Sequence, residues 1–175
     1  MARSTLDDTA RRIARARWLE LRCFEVLGGW VTTTPEPEVK LVLARQSHHH
    51  AWHAELFERV LPVASGLDVT HHDEPDPGWI AALTEIQGLS GTADRLAAIF
   101  GVLLPAKLVE YEHWLADTDP VRDAPLRRWL GFVIADEQTD LAEGHALVRG
   151  FPAAAEARGR GAVEAALLAA GPLLG

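Results

Sequence analysis

Residues 62–88 read PVASGLDVTHHDEPDPGWIAALTEIQG, and no other segment constrains the architecture as tightly. The run is rich in Gly, Pro, Asp and His, the residues of turns and connections, with room for one short helix near residues 79–86. On both sides of it, apolar residues recur at helical spacing. Upstream, residues 8–31 form one helix, with Ser4 and Asp7 spaced as a capping box and Gly28-Gly29 leaving its C-terminal end open. A second helix restarts at Thr34-Pro35-Glu36-Pro37-Glu38, where proline and acid suit a first turn, and runs to about residue 61 before Pro62. Downstream, a third helix starts at Ser90 or Thr92 and ends near residue 116, with a kink expected at Pro105. Asp117-Thr118-Asp119-Pro120 is a turn, and Asp123-Ala124-Pro125 opens a fourth helix that continues to about residue 149. An alanine-rich tail follows Gly150-Phe151-Pro152 and carries a weaker helix over residues 161–170. There is no strand alternation of useful length and no internal repeat.

The links are therefore short, long, short. Short links make helices one and two antiparallel, and likewise three and four. A 27-residue middle connection is more than an up-and-down bundle needs, and it can carry the chain back along the bundle. Helices two and three then run parallel. The expected fold is all-α: a four-helix bundle with one long crossover between helices two and three, plus a short C-terminal helix. Residues 1–175 read as a single domain, with the bundle at about 8–149 and the tail at 150–175.

Composition narrows the function. With 48% hydrophobic and 24% charged residues, the chain is neither a disordered tail nor a fibre. Its longest apolar run, residues 96–106, is 11 residues, against the roughly 20 that span a bilayer, so no membrane role is expected. The N-terminal residues lack an apolar signal segment. Cys23 is the single cysteine, so neither an intramolecular disulfide nor a cysteine zinc site can form. These features give the expectation of a cytoplasmic protein. A net charge of −8 argues against nucleic acid as a partner, because that binding rests on phosphate neutralisation.

The inner seams carry the chemistry. A core stripe on helix two reads Val39, Val42, Gln46, His49, His53, Leu56, Val60, so three consecutive inward positions are polar. Each buried group left unpaired costs about 1–3 kcal/mol, so these need partners. On helix four, Glu137 and Asp140 interrupt the apolar run Leu126, Leu130, Val133. Glu20 flanks the helix-one stripe of Ile13, Phe24 and Leu27. Counting outward from the two short turns places Glu20 level with His49, and Glu137 level with about residue 104. One polar layer across three helices is the expectation. Lys107 on helix three stands where its ammonium reaches toward Glu137.

In this layout the chain resembles the ferritin-like superfamily of carboxylate-bridged di-metal bundles, and more loosely its tRNA-hydroxylase-like branch. That family places a Glu on each of two helices and Glu-x-x-His on the other two. Gln46-x-x-His49 and Glu137-x-x-Asp140 stand where the two Glu-x-x-His motifs would be, and Glu20 where the first single Glu would be. Helix three offers no fourth ligand at that level, since Gly101, Leu103 and Leu104 are there and Glu110 lies about two turns away. The resemblance implies Glu20, Gln46, His49, His53, Glu137 and Asp140 as metal ligands, in a degenerate motif.

Three chemical states of this layer are distinguished. In the first, Lys107 replaces metal charge and the network is metal-free. In the second, one divalent ion, Fe or Mn, is held by carboxylates and histidines. In the third, two ions are held, although Gln46 is a weaker donor than Glu. Three functions are expected as alternatives: a binding, scaffold or assembly subunit; a non-haem iron or manganese oxygenase; and a metal-free small-molecule-binding protein using its His/Glu layer for acid–base work. Helix-two histidines without a His-Glu-x-x-His order do not suit a zinc peptidase. His71-His72-Asp73-Glu74 reads first as a solvated loop, and Arg11, Arg15 and Arg22 as a solvated basic face. Tryptophans such as Trp18, Trp52 and Trp129 are candidates for helix packing or a homodimer contact.

Overall fold

The computed structural model describes residues 5–64, 77–151, 153–172 and 174. Ser4 and the His71-His72-Asp73-Glu74 segment lie outside the described residues. Seven α-helices and no strand are found among those described. They are α1 (Leu6–Val31), α2 (Pro37–Glu58), α3 (Pro77–Gln87), α4 (Thr92–Ala98), α5 (Leu104–Asp117), α6 (Ala124–Val148) and α7 (Ala153–Ala170). A π-helical turn, Ile99–Leu103, joins α4 to α5, so these two form one interrupted rod.

Local chemistry explains the ends. The N-terminal box of α1 is made by Thr5 and Asp8: the Asp8 N–H donates to Thr5 Oγ1 at 3.1 Å, and the Thr5 N–H to Asp8 Oδ2 at 3.0 Å. Gly28-Gly29 does not end α1, which runs on to Val31. Gly28 instead admits a neighbour, since a Cβ there would stand 3.0 Å from Ser47 Oγ, and that hydroxyl donates to the Phe24 carbonyl at 2.9 Å. In α2 the last turn tightens before Pro62, with the Val60 and Leu61 N–H groups bonding to Phe57 and Glu58, so the helix ends at Glu58. The C-terminal helix α7 is longer than its alanine-rich pattern implies.

The expected kink at Pro105 takes the form of the π turn. The Leu104 N–H reaches back five residues to the Ile99 carbonyl. Pro105 has no N–H to continue that pattern onto Phe100. The Phe100 carbonyl is taken up instead by His145 Nε2 of α6, 2.9 Å away, which must be the donor because a carbonyl only accepts.

Contacts give the helix directions. Partners of α1 and α2 run in opposite senses, from Gly28 and Ser47 to Arg17 and Glu58. So do those of α2 and α6, from Gln46 and Asp140 to His53 and Asp136, and those of α5 and α6, from Lys107 and Glu137 to Leu115 and Arg127. Between α2 and α5 the partner numbers rise together, His50 with Lys107 and then Phe57 with Trp114, so these two helices run parallel. Helix α7 lies against α3 and α4.

The core runs through Ile13, Leu19, Leu43, Phe57, Phe100 and Leu130. On α1 the buried face holds Ile13, Ala16, Leu19, Glu20, Cys23, Leu27 and Trp30, whereas Phe24, read as part of the stripe, is 42% exposed. The small residue Gly28 lets α2 approach α1 at Ser47, while Ala16 and Cys23 are fully buried elsewhere on the inward face. Among the tryptophans, Trp30, Trp79 and Trp114 are buried and Trp52 is exposed. No described helix is long and apolar enough to cross a membrane.

Candidate functional site

Four helices deliver charged side chains to one buried place. Glu20 comes from α1, His50 and His53 from α2, Lys107 and Tyr111 from α5, and Glu137 from α6. None is more than 1% exposed. Each sits at a position that the helical period turns inward, between apolar neighbours such as Leu19, Phe57, Leu104 and Val133.

Lys107 stands at the centre. Its ammonium donates to Glu137 Oε1 at 2.7 Å and to Glu20 Oε1 and Oε2 at 3.0 and 3.1 Å. Tyr111 donates its hydroxyl to Glu20 Oε1 at 2.7 Å. His50 Nδ1 lies 2.7 Å from Glu20 Oε2, where it must carry the proton, and 3.2 Å from Lys107 Nζ. His53 lies between two environments. Its Nε2 is 3.3 Å from Asp136 Oδ2 at the half-exposed edge, while its Nδ1 is 3.3 Å from Glu137 Oε1 and 3.5 Å from Glu20 Oε2. The two inner contacts are close but poorly aligned, so Nδ1 has no hydrogen-bond acceptor.

Protonation follows from this geometry. Burial alone would raise both carboxyls, but the Lys107 ammonium, helped by the histidines, outweighs it and holds Glu20 well below and Glu137 below the usual carboxylate value. Burial would strip the proton from Lys107, but Glu137 and Glu20 keep it charged and push its pKa above the ordinary lysine value. For His53 burial is likewise opposed by Glu137 and Glu20, which raise it to about 10. Burial and then Glu20 push the Tyr111 hydroxyl well above its ordinary value, and burial pushes the neighbouring Cys23 thiol up to about 12. Two carboxylates are thus matched by two cations, Lys107 and His53, and the cluster is close to neutral. An unmatched charge there would carry a desolvation cost of several kcal/mol.

The sequence-derived layer divides in two. Glu20, His53 and Glu137 come together with Lys107. Gln46, His49 and Asp140 do not join them; they form an outer group in the α2–α6 groove. There Gln46 Nε2 donates to the Asp140 carbonyl at 3.1 Å and His49 Nδ1 lies 2.8 Å from Asp140 Oδ2, with the His49 side chain 28% exposed. His50, which is not in the stripe read on helix two, is the buried histidine, and His49 is at the edge. The cause is that α2 has neighbours on both sides. Ser47 and His50 face α1, Arg45, Gln46 and His49 face α6, and a single stripe merges the two seams. Glu137 and Asp140 diverge for the same reason, three residues being 60° short of a full turn. Sequence reasoning missed Tyr111 and Asp136. Tyr111 was findable, since it lies one turn beyond Lys107 on the same helix face.

Glu20, His50, His53 and Glu137 each offer a ligand atom, and these atoms lie within 4.8 Å of one another, so the group could hold a metal ion. The donor types suit a divalent ion, and the bundled helices with a buried Glu/His/His/Glu cluster are compatible with a di-metal site. Lys107 argues against that use. A bridging ion needs carboxylate oxygens at about 2.0–2.2 Å, which would place it where the ammonium sits and set two cations side by side. The side chains present fit the lysine cation better than an ion, and two ions would also lack carboxylates. Other sequence-derived features are paired elsewhere: Arg11 with Asp7 at 2.6 Å, and Arg22 with Glu25 and Gln87. Compared with protein-family models, curated proteins and solved structures, the chain finds no match, so its chemistry rests on this geometry alone.

Proposed function

We propose that the chain is a ferritin-like four-helix bundle with one long crossover, in which a lysine ammonium stands in for metal charge, and that it works as a binding or assembly subunit. The parallel course of α2 and α5 between two antiparallel pairs supports the bundle reading. The observation that carries the functional reading is Lys107 Nζ within 3.1 Å of both Glu20 and Glu137. That contact supplies the cationic charge the carboxylates need. It also leaves the cluster sealed, each member at most 1% exposed, which does not suit a substrate or oxygen site. Self-association belongs to the same reading, supported by the exposed aromatic side chains Trp52 and Phe132.

A second reading, a single-ion iron or manganese oxygenase, has one observation in its favour. Glu137 Oε2, His50 Nε2 and His53 Nδ1 are buried without hydrogen-bond partners, and an ion would use such atoms. It requires the Lys107 ammonium to withdraw. A metal-free acid–base role on a small molecule has less support. The cavity of about 380 Å³ lined by Leu6, Ile13, Val60, Leu61 and Leu126 lies at another end of the helices and includes no cluster residue.

Elemental analysis of untagged protein purified in air separates these readings. The lysine reading expects iron and manganese far below one per chain, and uptake of a divalent ion in Lys107→Ala, where the donors are released. Stoichiometric metal in the wild-type chain, lost on His50→Ala or Glu137→Ala, would overturn it.

A further inference from the structure

The outward face of α6 is unlike a solvated helix surface. Arg128, Phe132, Ala135, Thr139, Ala142 and Ala146 are all exposed, and they follow one another at steps of four, three, four, three and four. That is the 3.5-residue repeat of a helix–helix seam, displayed on the side opposite the core. Five of the six positions are uncharged, whereas an exposed ridge ordinarily carries charges. At its N-terminal end the ridge is bulky: Phe132 is 46% exposed, its ring lies 5.8 Å from that of Trp129, and the Arg128 guanidinium covers both rings at 5.7 and 5.8 Å. Arg and aromatic side chains grouped in this way are typical interface anchors. Toward its C-terminal end the ridge is small, with Thr139, Ala142 and Ala146.

We propose that this ridge is the contact between two copies of the chain, packed antiparallel about a two-fold axis at the level of residue 137. The inference rests on the self-association reading and names its surface and register. The ridge is complementary to itself only when reversed. Antiparallel pairing sets Phe132 against Ala142 of the second copy, Ala135 against Thr139, and Arg128 against Ala146, so every layer joins a large residue or a methyl-sized one to a small one. A parallel pair would stack Arg128 on Arg128 and Phe132 on Phe132. Charge agrees with the reversed order. Arg128 comes within one turn of Glu143 on the second copy, a half-buried carboxylate that also takes Arg45 of its own chain. The contact is isologous and closes as a dimer without leaving a surface to extend. It also passes beside Asp136, the outer partner of His53.

From Arg128 to Ala146 the seam is about 27 Å long at 1.5 Å per residue. A single helix pair of that length falls below the roughly 800 Å² per partner of a standard interface, so a reversible dimer whose population depends on concentration is expected. The test is sedimentation velocity across a concentration series on the wild-type chain and Phe132→Glu, with circular dichroism verifying that the variant is folded. The expected result is a concentration-dependent monomer–dimer shift in the wild type and a monomer throughout in the variant. Register is read by oxidising Phe132→Cys chains, Ala142→Cys chains and an equal mixture of the two; the mixture alone should give a disulfide-linked dimer, and buried Cys23 takes no part. A dimer that survives Phe132→Glu overturns the surface while leaving self-association standing. A link formed by Phe132→Cys alone overturns the antiparallel register. A wild-type chain that stays monomeric at every concentration overturns both the inference and the reading beneath it.

Discussion

Replacing Lys107 by methionine keeps the length of the side chain and removes its charge, so the variant isolates what the ammonium does. In the wild-type chain that group makes three hydrogen bonds to two carboxylates that are each at most 1% exposed. Without it Glu20 keeps Tyr111 and His50, Glu137 keeps the poorly aligned His53, and one negative charge is uncompensated. Breaking a buried pair from one side costs about 3–5 kcal/mol. For a chain of this size each kcal/mol lowers the melting temperature by about 2–4 °C, so a fall of about 6–20 °C near pH 7 is expected. The cost must also depend on pH. In the wild-type chain both carboxyls lie below their ordinary value, so their contribution is present above about pH 4.3 and is lost as pH falls through their depressed folded values. In the variant, burial acts without the ammonium and raises a carboxyl, so the folded state binds a proton more readily as pH falls. The difference between the two proteins is therefore widest near neutrality and narrows toward about pH 4. Thermal unfolding followed by circular dichroism over that range measures it. Equal midpoints near pH 7, or a difference that does not change with pH, would refute the assignment of Lys107 as the charge that holds the centre together.

Three further outcomes are expected. His53 has a folded pKa raised to about 10, so its stabilisation is complete below its unfolded value of about 6.5 and is lost as pH rises through about 10. Chemical denaturation from about pH 7 upward should show stability falling by up to about 1.4 kcal/mol per pH unit, and His53→Gln should remove that decline. Gly144→Ala would drive a Cβ into the Phe100 ring, beside the carbonyl that His145 satisfies, and should cost about 1–3 kcal/mol by urea titration, whereas Gly131→Ala, with open space around it, should not. Tyr111→Phe removes a hydrogen bond to a buried carboxylate and should cost about 1.5 kcal/mol, with the Glu20–Lys107 pair left intact and no gain of metal.

The periodicity of apolar residues and the Pro/Gly punctuation made the long helices legible, because both are consequences of the chain's own geometry. Helix ends shifted by a few residues where side chains supply the cap, as Thr5 and Asp8 do for α1. The interruption at Ile99–Leu103 followed from Pro105, but its π form depended on His145 taking the Phe100 carbonyl, a partner 45 residues away. The site was legible as residue types out of place: Glu20, His53, Lys107 and Glu137 are polar groups on otherwise apolar faces. Which of three adjacent histidines enters the core was not legible. His49 and His50 differ by 100° on α2, and the choice is made by where α1 and α6 lie around it.

Helical periodicity, a buried layer of ionisable groups and the need for each to find a partner are properties of the covalent chain, since burying an unpaired charge is costly in any fold. The pairing itself belongs to the packed state. Lys107 meets Glu20 and Glu137 only because α5 runs parallel to α2 at a particular height, and Asp140 is drawn away to His49 by the same packing. Distances of 2.7 to 3.1 Å between residues 30 to 87 positions apart are set by helix crossing, depth and rotation, which no local pattern encodes.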